Sequence, residues 1–160
     1  MTTDQEERAE TSLVAIAGNP NVGKTSIFNW LTGSQQKVTN YPGVTVERFE
    51  GALSGSDSIQ VLDVPGTYSL SARSPEEEIA IRSIAGLDEA RRPDPVVLVG
   101  DANQLSRNLH PALQVRELRL PGLLAVTMSE ICGSAPLDID ALSLSLGVPA
   151  VAVSGVTGVG

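Results

Sequence analysis

A phosphate-binding loop is predicted at residues 18–25, whose sequence GNPNVGKT fits the pattern G-x-x-x-x-G-K-[ST]. The loop directly follows an apolar run at residues 13–17, which is typical of a buried strand. Its glycines allow backbone N–H groups to surround phosphates, Lys24 adds a positive charge, and the Thr25 hydroxyl can reach Mg²⁺. Residues 26–31 then predict a helix whose N-terminus faces the anion. The alternative is a glycine-rich turn before an ordinary helix, but strand, loop, Lys-Thr pair and helix all occur in the required order.

A metal-binding group is predicted where Asp63 ends an apolar strand at residues 58–63. In open α/β sheets ligands lie beyond the carboxyl ends of the strands, which is also where the phosphate loop points. Thr25 and Asp63 are therefore expected to contact one Mg²⁺, Asp63 directly or through a water, as in P-loop NTPases. Thr45 precedes this strand in a long polar connection and is placed to complete the metal site when a γ-phosphate is present. The predicted metal ligands are thus Thr25, Thr45 and Asp63.

The elements that must position these groups alternate between strands and helices. Residues 44–50 and 58–63 flank a turn at residues 54–57 and predict an antiparallel hairpin. The other predicted strands are residues 13–17, 95–101, 123–128 and 148–153, and the predicted helices are residues 26–31, 75–85, 138–146 and one that begins at Asn108. This order predicts an α/β fold of the P-loop NTPase class, similar to a small GTPase, with a mostly parallel, doubly wound sheet and one antiparallel edge hairpin.

Two further segments carry local predictions. Residues 32–45 form a long polar connection, and loops of this length are usually mobile functional segments or disordered. Asn108 is predicted to cap a helix, which would place Pro111 in the first turn, where its missing N–H costs little. His110, the one histidine of the chain, would then lie at the opening of that helix, with a surface role rather than a catalytic one.

Composition and charge favour one globular domain in a reducing compartment. The chain has 160 residues, 41% of them hydrophobic, and its formal net charge of −8 argues against a nucleic-acid partner bound through a basic face. The single cysteine, Cys132, excludes an internal disulfide framework, and no run resembles a signal peptide or a membrane span, so a cytoplasmic location is expected. Residues 1–11 are expected to be a disordered acidic tail and residues 12–160 the globular domain, with no final covering helix after the last strand.

Three stretches of the chain resemble one protein family. They are GNPNVGKTSIFNWLTG at residues 18–33, NYPGVTVERFEG at residues 40–51 and DVPGTYSLSARSPEE at residues 63–77. Together they resemble the cytoplasmic G domain of the bacterial ferrous-iron transporter B (FeoB) family, and the resemblance extends over nearly all of the chain after residue 11. The match is specific, because residues 40–47 and 66–70 are not general GTPase features.

The resemblance implies a Mg²⁺-dependent GTPase domain that couples to, or regulates, Fe²⁺ uptake at the cytoplasmic face of the inner membrane, with the membrane channel of the transporter as a partner. In this family the residue after the DxxG glycine is not glutamine, and here it is Thr67. The resemblance implies that a potassium ion, held partly by Asn21, helps to orient water, and that intrinsic turnover is slow. The catalytic residues that follow from it are Lys24, Asn21 and Thr45.

The same resemblance implies a nucleotide site that extends from the phosphate loop through switch I, which contains Thr45, and switch II, which opens with residues 63–66, to the base. Its residues are Gly18, Asn19, Pro20, Asn21, Val22, Gly23, Lys24, Thr25, Ser26, Gly43, Val44, Thr45, Val46, Glu47, Asp63, Val64, Pro65, Gly66, Thr127, Met128, Glu130, Ser154 and Gly155. The expected ligands of this site are GTP or GDP with Mg²⁺.

The base end departs from the family pattern. Where the family carries the guanine-reading N-x-x-D, this chain has Thr127 in place of asparagine and Glu130 in place of aspartate. Glu130 keeps the charge but is one methylene longer, and Thr127 cannot supply an amide, so guanine affinity is expected to fall by about ten- to a hundredfold. Ser154 and Gly155 match the loop that closes over the base, although a plain exit from the last strand fits them equally well.

Two other functions stay open at this stage. One is a degenerate nucleotide-binding or partner-binding module with weakened guanine specificity and no turnover, motivated by Thr127, Glu130 and the missing last helix. The other is a soluble, ribosome-associated assembly GTPase, which shares the phosphate loop but which the acidic balance and residues 40–47 disfavour. The sequence predicts neither the oligomeric state nor the transported ion.

Overall fold

A seven-stranded sheet forms the centre of the computed structural model, which describes residues 11–87, 92–127 and 137–160. In chain order its strands are β1 (Ser12–Gly18), β2 (Lys37–Asn40), β3 (Glu47–Ala52), β4 (Ile59–Asp63), β5 (Val96–Asp101), β6 (Gly122–Thr127) and β7 (Ala150–Ala152). The helices are α1 (Lys24–Thr32), α2 (Pro75–Ala85), α3 (Leu105–Glu117) and α4 (Ile139–Leu146), and one 3₁₀ turn, Ala102–Gln104, precedes α3.

The strand order across the sheet is β2-β3-β4-β1-β5-β6-β7. The pairs β2–β3 and β3–β4 are antiparallel, and all other neighbouring pairs are parallel. The predicted doubly wound, mostly parallel α/β sheet is therefore confirmed. Parallel strands keep their carboxyl ends at one edge of the sheet, so the ends of β1, β4, β5 and β6 all lie where ligands bind in such folds.

Helices cover the two faces of the sheet unequally. Phe28 of α1 is fully buried and packs with Ile16 of β1 on one face. On the other face Ala15 and Ala17 of β1 pack into a larger cluster to which α2, α3 and α4 contribute, for example through Ile84. The alternation along β1 follows from the two-residue period of a strand. Among the described residues, α1, with the phosphate loop at its start, is the one helix that packs on its face of the sheet.

The helix ends carry the signals that the sequence predicts. Ser74 caps α2 by accepting the Glu77 N–H at 3.2 Å, Pro75 stands at the start of the helix, and Gly86 ends it with φ 67°. Asp138 caps α4 by accepting the Ala141 N–H at 2.9 Å. The predicted boundaries of α2 and α4 are confirmed. Each depends on capping residues that are close to it in the sequence.

The predicted start of α3 is wrong. The helix begins at Leu105, so Pro111 lies inside it rather than in its first turn, and His110 is an exposed residue in mid-helix. The Asp101 carboxylate accepts the Asn103 N–H at 2.8 Å and starts helical structure earlier. Asn108 is buried, and its side-chain oxygen accepts the Asp101 N–H at 2.7 Å, so it ties α3 to the end of β5 instead of capping a helix.

The antiparallel edge is one strand wider than predicted. Residues 37–40 of the supposed loop form β2, which pairs with β3 so that Val38 lies opposite Phe49. The edge therefore contains two hairpins, β2-β3 and β3-β4, where the sequence predicts one. All four residues of β2 are exposed, so the strand carries no alternation of buried and exposed side chains that sequence analysis could detect.

Two further predictions concern the N-terminal tail and the absence of a membrane span. The acidic tail predicted at residues 1–11 lies outside the described residues, except for Thr11. None of the helices in the described part of the chain has the length and hydropathy needed to span a membrane.

Candidate nucleotide-binding site

The phosphate loop joins β1 to α1 through a backbone that needs small or flexible residues. Gly23 precedes α1 with φ 94° and has no side chain to cap it, so no side-chain oxygen at the cap position accepts the first N–H groups of this nine-residue helix. Asn21 also has a positive φ, 63°, a region that asparagine tolerates better than most residues. At Gly18 an added Cβ would collide with the carbonyl oxygen of Val99 on β5. The loop therefore presents backbone donors and a helix N-terminus at one place, as phosphate binding requires.

Lys24 and Asp63 are two charged residues held together in a poorly solvated place. The Lys24 side chain is 9% exposed, and its ammonium donates to the Asn19 carbonyl oxygen at 3.5 Å. Burial lowers the pKa of Lys24, an effect that the nearby Asp63 carboxylate partly offsets. Burial also raises the pKa of Asp63, and the Lys24 charge and a hydrogen bond from Thr25 oppose this. A ligand that brings negative charge together with a cation would stabilise the charged forms of both side chains.

Thr25 and Asp63 form the pair expected for a metal site. The Thr25 hydroxyl donates to Asp63 Oδ2 at 3.1 Å, whereas the buried Asp63 Oδ1 has no hydrogen-bond partner among the described residues. A buried carboxylate oxygen without a partner is costly, and a hard cation such as Mg²⁺ satisfies it. No group of three His, Cys, Asp or Glu side chains capable of holding a metal occurs within residues 11–87, 92–127 and 137–160. A cation here would therefore depend on Asp63, the Thr25 hydroxyl, phosphate oxygens and water, which is the coordination that Mg²⁺ favours.

A cavity of about 300 Å³ opens beside this pair. Its walls combine the phosphate loop with parts of both predicted switches, and the lining residues are Lys24, Thr25, Val46, Glu47, Phe49, Asp63, Val64, Pro65 and Gly66. The structure thus brings together residues from three separate stretches of the chain, because β1 and β4 end, and the antiparallel β3 begins, at the same edge of the sheet.

The predicted switch I hydroxyl lies away from this cavity. Thr45 is exposed and is not among the cavity-lining residues, whereas the next two residues, Val46 and Glu47, are. Val44 lines a different groove, next to Pro75 and Leu87. Closure of Thr45 onto the metal site would require residues 43–45 to move, so the role predicted for Thr45 stays a prediction.

The predicted start of switch II lies directly on the phosphate loop. Thr67 N–H donates to the Gly18 carbonyl oxygen at 3.0 Å, and a Cβ at Gly66 would meet backbone atoms of Pro20 at 2.9 Å. Thr67 itself is 1% exposed, and its hydroxyl donates to the Ser69 carbonyl oxygen at 2.6 Å. Its side chain is therefore occupied within the turn.

The base end contains a contact that sequence analysis missed. Thr127 is 3% exposed, and its hydroxyl donates to the Val22 carbonyl oxygen of the phosphate loop at 2.7 Å, with a longer contact of 3.3 Å to the Gly100 carbonyl oxygen. The hydroxyl thus connects β6 to the phosphate loop although Thr127 has no side-chain amide. The register in which Thr127 lies opposite Asp101 brings it there, and no local pattern shows this register.

The remaining predicted base-side residues divide into two groups. Met128 and Glu130 lie outside the described residues. Ser154 and Gly155 follow β7, and the Gly155 carbonyl oxygen accepts the indole N–H of Trp30 on α1 at 3.0 Å. The sequence analysis assigned no function to Trp30.

The phosphate loop between β1 and α1 and the Thr25–Asp63 pair at the carboxyl ends of parallel strands define a P-loop NTPase fold of the G-domain type. The model of the family described as Ferrous iron transport protein B matches residues 12–160. The chain belongs to this family.

Known relatives agree with this assignment. The chain is 47% identical over 150 residues to the Fe(2+) transport protein A/Fe(2+) transporter FeoB fusion protein of Porphyromonas gingivalis, a match covering 92% of the chain and 17% of the relative. It is 44% identical over 145 residues to the Fe(2+) transporter FeoB of Escherichia coli K12, covering 86% of the chain and 18% of the relative. The matched region thus spans less than a fifth of the length of these curated relatives.

Solved structures with the same fold include isolated G domains. A GDP-bound mutant of the S. thermophilus FeoB G domain superposes with a TM-score of 0.85 at 40% identity, covering 92% of the chain and 55% of that structure. The G domain of the T. maritima FeoB iron transporter superposes with a TM-score of 0.79 at 41% identity, covering 92% of the chain and 89% of that structure.

Proposed function

We propose that this chain binds GTP and GDP together with Mg²⁺ and hydrolyses GTP slowly. The observation that carries the proposal is the buried Lys24–Asp63 pair, beside a helix N-terminus with no side-chain cap. Within the part of the chain that the structure describes, Asp63 Oδ1 has no hydrogen-bond partner. Such an arrangement is costly unless an anion and a cation occupy it together. The GDP-bound structures of similar FeoB G domains support a guanine nucleotide as that ligand.

The residues of the site have different roles in nucleotide binding and hydrolysis. Backbone N–H groups of residues 18–25 and of the start of α1 bind and orient the phosphates, and Lys24 stabilises the negative charge on the phosphoryl group that is transferred. Thr25 and Asp63 would hold Mg²⁺, which neutralises charge on the β- and γ-phosphates when it is bound. Thr45 would join them only in the GTP state, because that state alone presents a γ-phosphate.

Orientation of the attacking water needs a group other than the residue after Gly66. Thr67 cannot serve, because its hydroxyl is buried and donates to the Ser69 carbonyl oxygen. Asn21 is exposed in the phosphate loop, and we assign to it a share in holding a potassium ion that supplies positive charge near the phosphates. Because threonine rather than glutamine follows Gly66, intrinsic turnover is expected to be slow, since a supplied transition-state cation is worth roughly 10³–10⁵ in rate.

The biological setting that fits this chain is a ferrous-iron transporter. We infer that residues 12–160 act as its cytoplasmic regulatory domain, with the membrane channel as the partner and no nucleic acid bound. The relatives named as Fe(2+) transporters and the acidic net charge of −8 support this inference.

Isothermal titration calorimetry with GTP, GDP and ATP, each with Mg²⁺ and with EDTA, tests the binding proposal. We expect both guanine nucleotides to bind, GTP to depend on Mg²⁺, and the preference over ATP to be reduced by the changes at Thr127 and Glu130. Absence of binding by every nucleotide in Mg²⁺ would contradict the proposal.

A second candidate is a module that binds nucleotide without turning it over, and the engaged hydroxyl of Thr67 favours it. Phosphate release measured in KCl and in NaCl separates the two. Release that is faster in KCl and lost in Asn21→Ala supports the slow GTPase. Release at background in both salts, with nucleotide still bound, supports the second candidate.

A further inference from the structure

A compact turn follows β7 at residues 154–159, here called the base-side loop. Its backbone closes on itself, since Ser154 N–H donates to the Val159 carbonyl oxygen at 2.8 Å and Gly158 N–H donates to the Ser154 carbonyl oxygen at 2.9 Å. The Ser154 hydroxyl also accepts the Thr157 N–H at 3.2 Å. The loop is therefore a small preformed unit whose position depends on what it rests against.

The base-side loop rests on α1 through Trp30. The indole N–H donates to the Gly155 carbonyl oxygen at 3.0 Å, across 125 positions of the chain. The backbone of Gly158 lies on the indole ring, because a Cβ built there would be 2.8–3.0 Å from three ring atoms. Gly158 also has φ 75°, so its backbone conformation and its close approach to the ring both require glycine.

A second contact ties the same loop to the start of α1. A Cβ at Gly155 would lie 2.8 Å from Cβ of Ser26, the residue that follows Thr25 of the phosphate loop. One helix therefore carries the phosphate donors at its N-terminus and the support for the base-side loop along its side. Trp30 is 55% exposed, so its hydrogen bond and ring contact to the loop, rather than core packing, are its main interactions.

We propose that Trp30 is a positioning residue for nucleotide retention, because its indole holds the base-side loop against the helix that also binds the phosphates. This inference rests on the proposed function, and on the match of Ser154 and Gly155 to the loop that closes over the base. With Trp30 in place the loop is already ordered before the nucleotide arrives, so the free energy of binding is not reduced by the entropy lost in ordering it. Loss of the indole contact allows the loop to leave the base and speeds nucleotide release.

The test is the dissociation rate of a fluorescent GDP analogue, chased with excess GDP and excited in its own absorption band. Trp30→Phe keeps an aromatic ring and removes the N–H donor, and we expect release about two- to tenfold faster, the effect of one hydrogen bond. Trp30→Ala removes the ring contact as well and is expected to have at least the same effect. Leu144→Ala, which removes an 84% exposed apolar side chain from α4, is the control and should release GDP at the parent rate.

A readout that a purely structural role would not move is the stabilisation by nucleotide. We expect the thermal unfolding midpoint of the nucleotide-free Trp30→Phe chain to match the parent, while the upward shift produced by excess GDP becomes smaller. Unchanged release in both Trp30 variants would overturn the proposal, as would a loss of stability that is equal with and without GDP. If the parent chain itself fails to bind GDP, the proposed function fails first, and the two failures are thereby distinguished.

Discussion

The two ends of the candidate site are built in different ways. The phosphate end consists of one continuous stretch, residues 18–25, with Asp63 added from β4. The base end is assembled from residues far apart in the chain, since the Thr127–Val22 hydrogen bond spans 105 positions and the Trp30–Gly155 hydrogen bond spans 125. The first can be recognised from residue spacing, whereas the second exists only in the folded chain.

This contrast shows where substitutions can be tolerated. At the phosphate end the backbone itself is the proposed binding surface, and the positive φ of Gly18 and Gly23 makes any other residue there strained. At the base end a contact between β6 and the phosphate loop can be made by any side chain that reaches Val22 with a donor. Thr127 does this with a hydroxyl, so the hydrogen bond between β6 and the phosphate loop is present although residue 127 is not asparagine.

The largest expected effect is at the phosphate end, with Lys24→Ala. We expect GTP affinity to fall by about a hundredfold, because a buried charge-assisted interaction worth roughly 1.5–3 kcal/mol is lost and Asp63 is left without its counter-charge. Lys37→Ala removes the same charge from the exposed strand β2 and is the matched control. Calorimetry measures both, and equal losses in the two variants would show that Lys24 acts only through net charge.

Asp63→Asn is expected to weaken the affinity for Mg²⁺-GTP about ten- to thirtyfold while nucleotide affinity in EDTA changes little, since one charge-assisted contact to the cation is lost. Calorimetry in Mg²⁺ and in EDTA measures both affinities.

In the parent chain Mg²⁺ must compete with a proton at Asp63. Because burial raises the pKa of Asp63, Mg²⁺-GTP affinity should fall, as pH is lowered, at a higher pH than for an ordinary aspartate, and should be independent of this group above it. Titrations across acidic pH check this, and an acid-side decline that persists unchanged in Asp63→Asn would assign it to another group.

Thr127→Val tests the base end with an intermediate effect. Valine keeps the shape but leaves the buried Val22 carbonyl oxygen without its donor, which costs about 1–3 kcal/mol. We expect the free energy of unfolding to fall by this amount and GTP affinity to fall roughly five- to tenfold, because the phosphate loop loses its tie. Thr127→Ser keeps the hydroxyl and should retain most of both. If serine and valine behave alike in denaturant titration and calorimetry, the hydroxyl contact has no role.

The smallest expected effect belongs to switch I. Thr45→Ala should leave GDP affinity unchanged and weaken Mg²⁺-GTP by roughly two- to tenfold, since only the γ-phosphate state recruits the hydroxyl, through about one hydrogen bond. Thr39→Ala makes the same chemical change on exposed β2 and should alter neither nucleotide. Equal weakening of GDP and GTP by Thr45→Ala would remove residue 45 from the switch.

The parts of the fold that could be predicted from sequence are those with a local physical cause. The apolar runs of β1, β5 and β6, the Ser74 cap and the Gly86 end of α2 all carry their signal within a few residues. The exposed strand β2 was missed because it has no buried face. The start of α3 was wrong because the Asn108 side chain bonds to the end of β5, a partner that a capping rule does not consider.

The sequence by itself determined the phosphate loop, because glycines, Lys24 and Thr25 at this spacing dictate one backbone conformation, and it determined the alternating α/β order that places Asp63 near that loop. Tertiary structure alone decided that Thr45 lies outside the cavity beside Thr25 and Asp63, that the Thr127 hydroxyl bonds to the phosphate loop, and that the Trp30 indole bonds to Gly155. The last two facts depend on which distant segments the sheet brings into contact, and a contact across more than a hundred residues leaves no local pattern in the sequence.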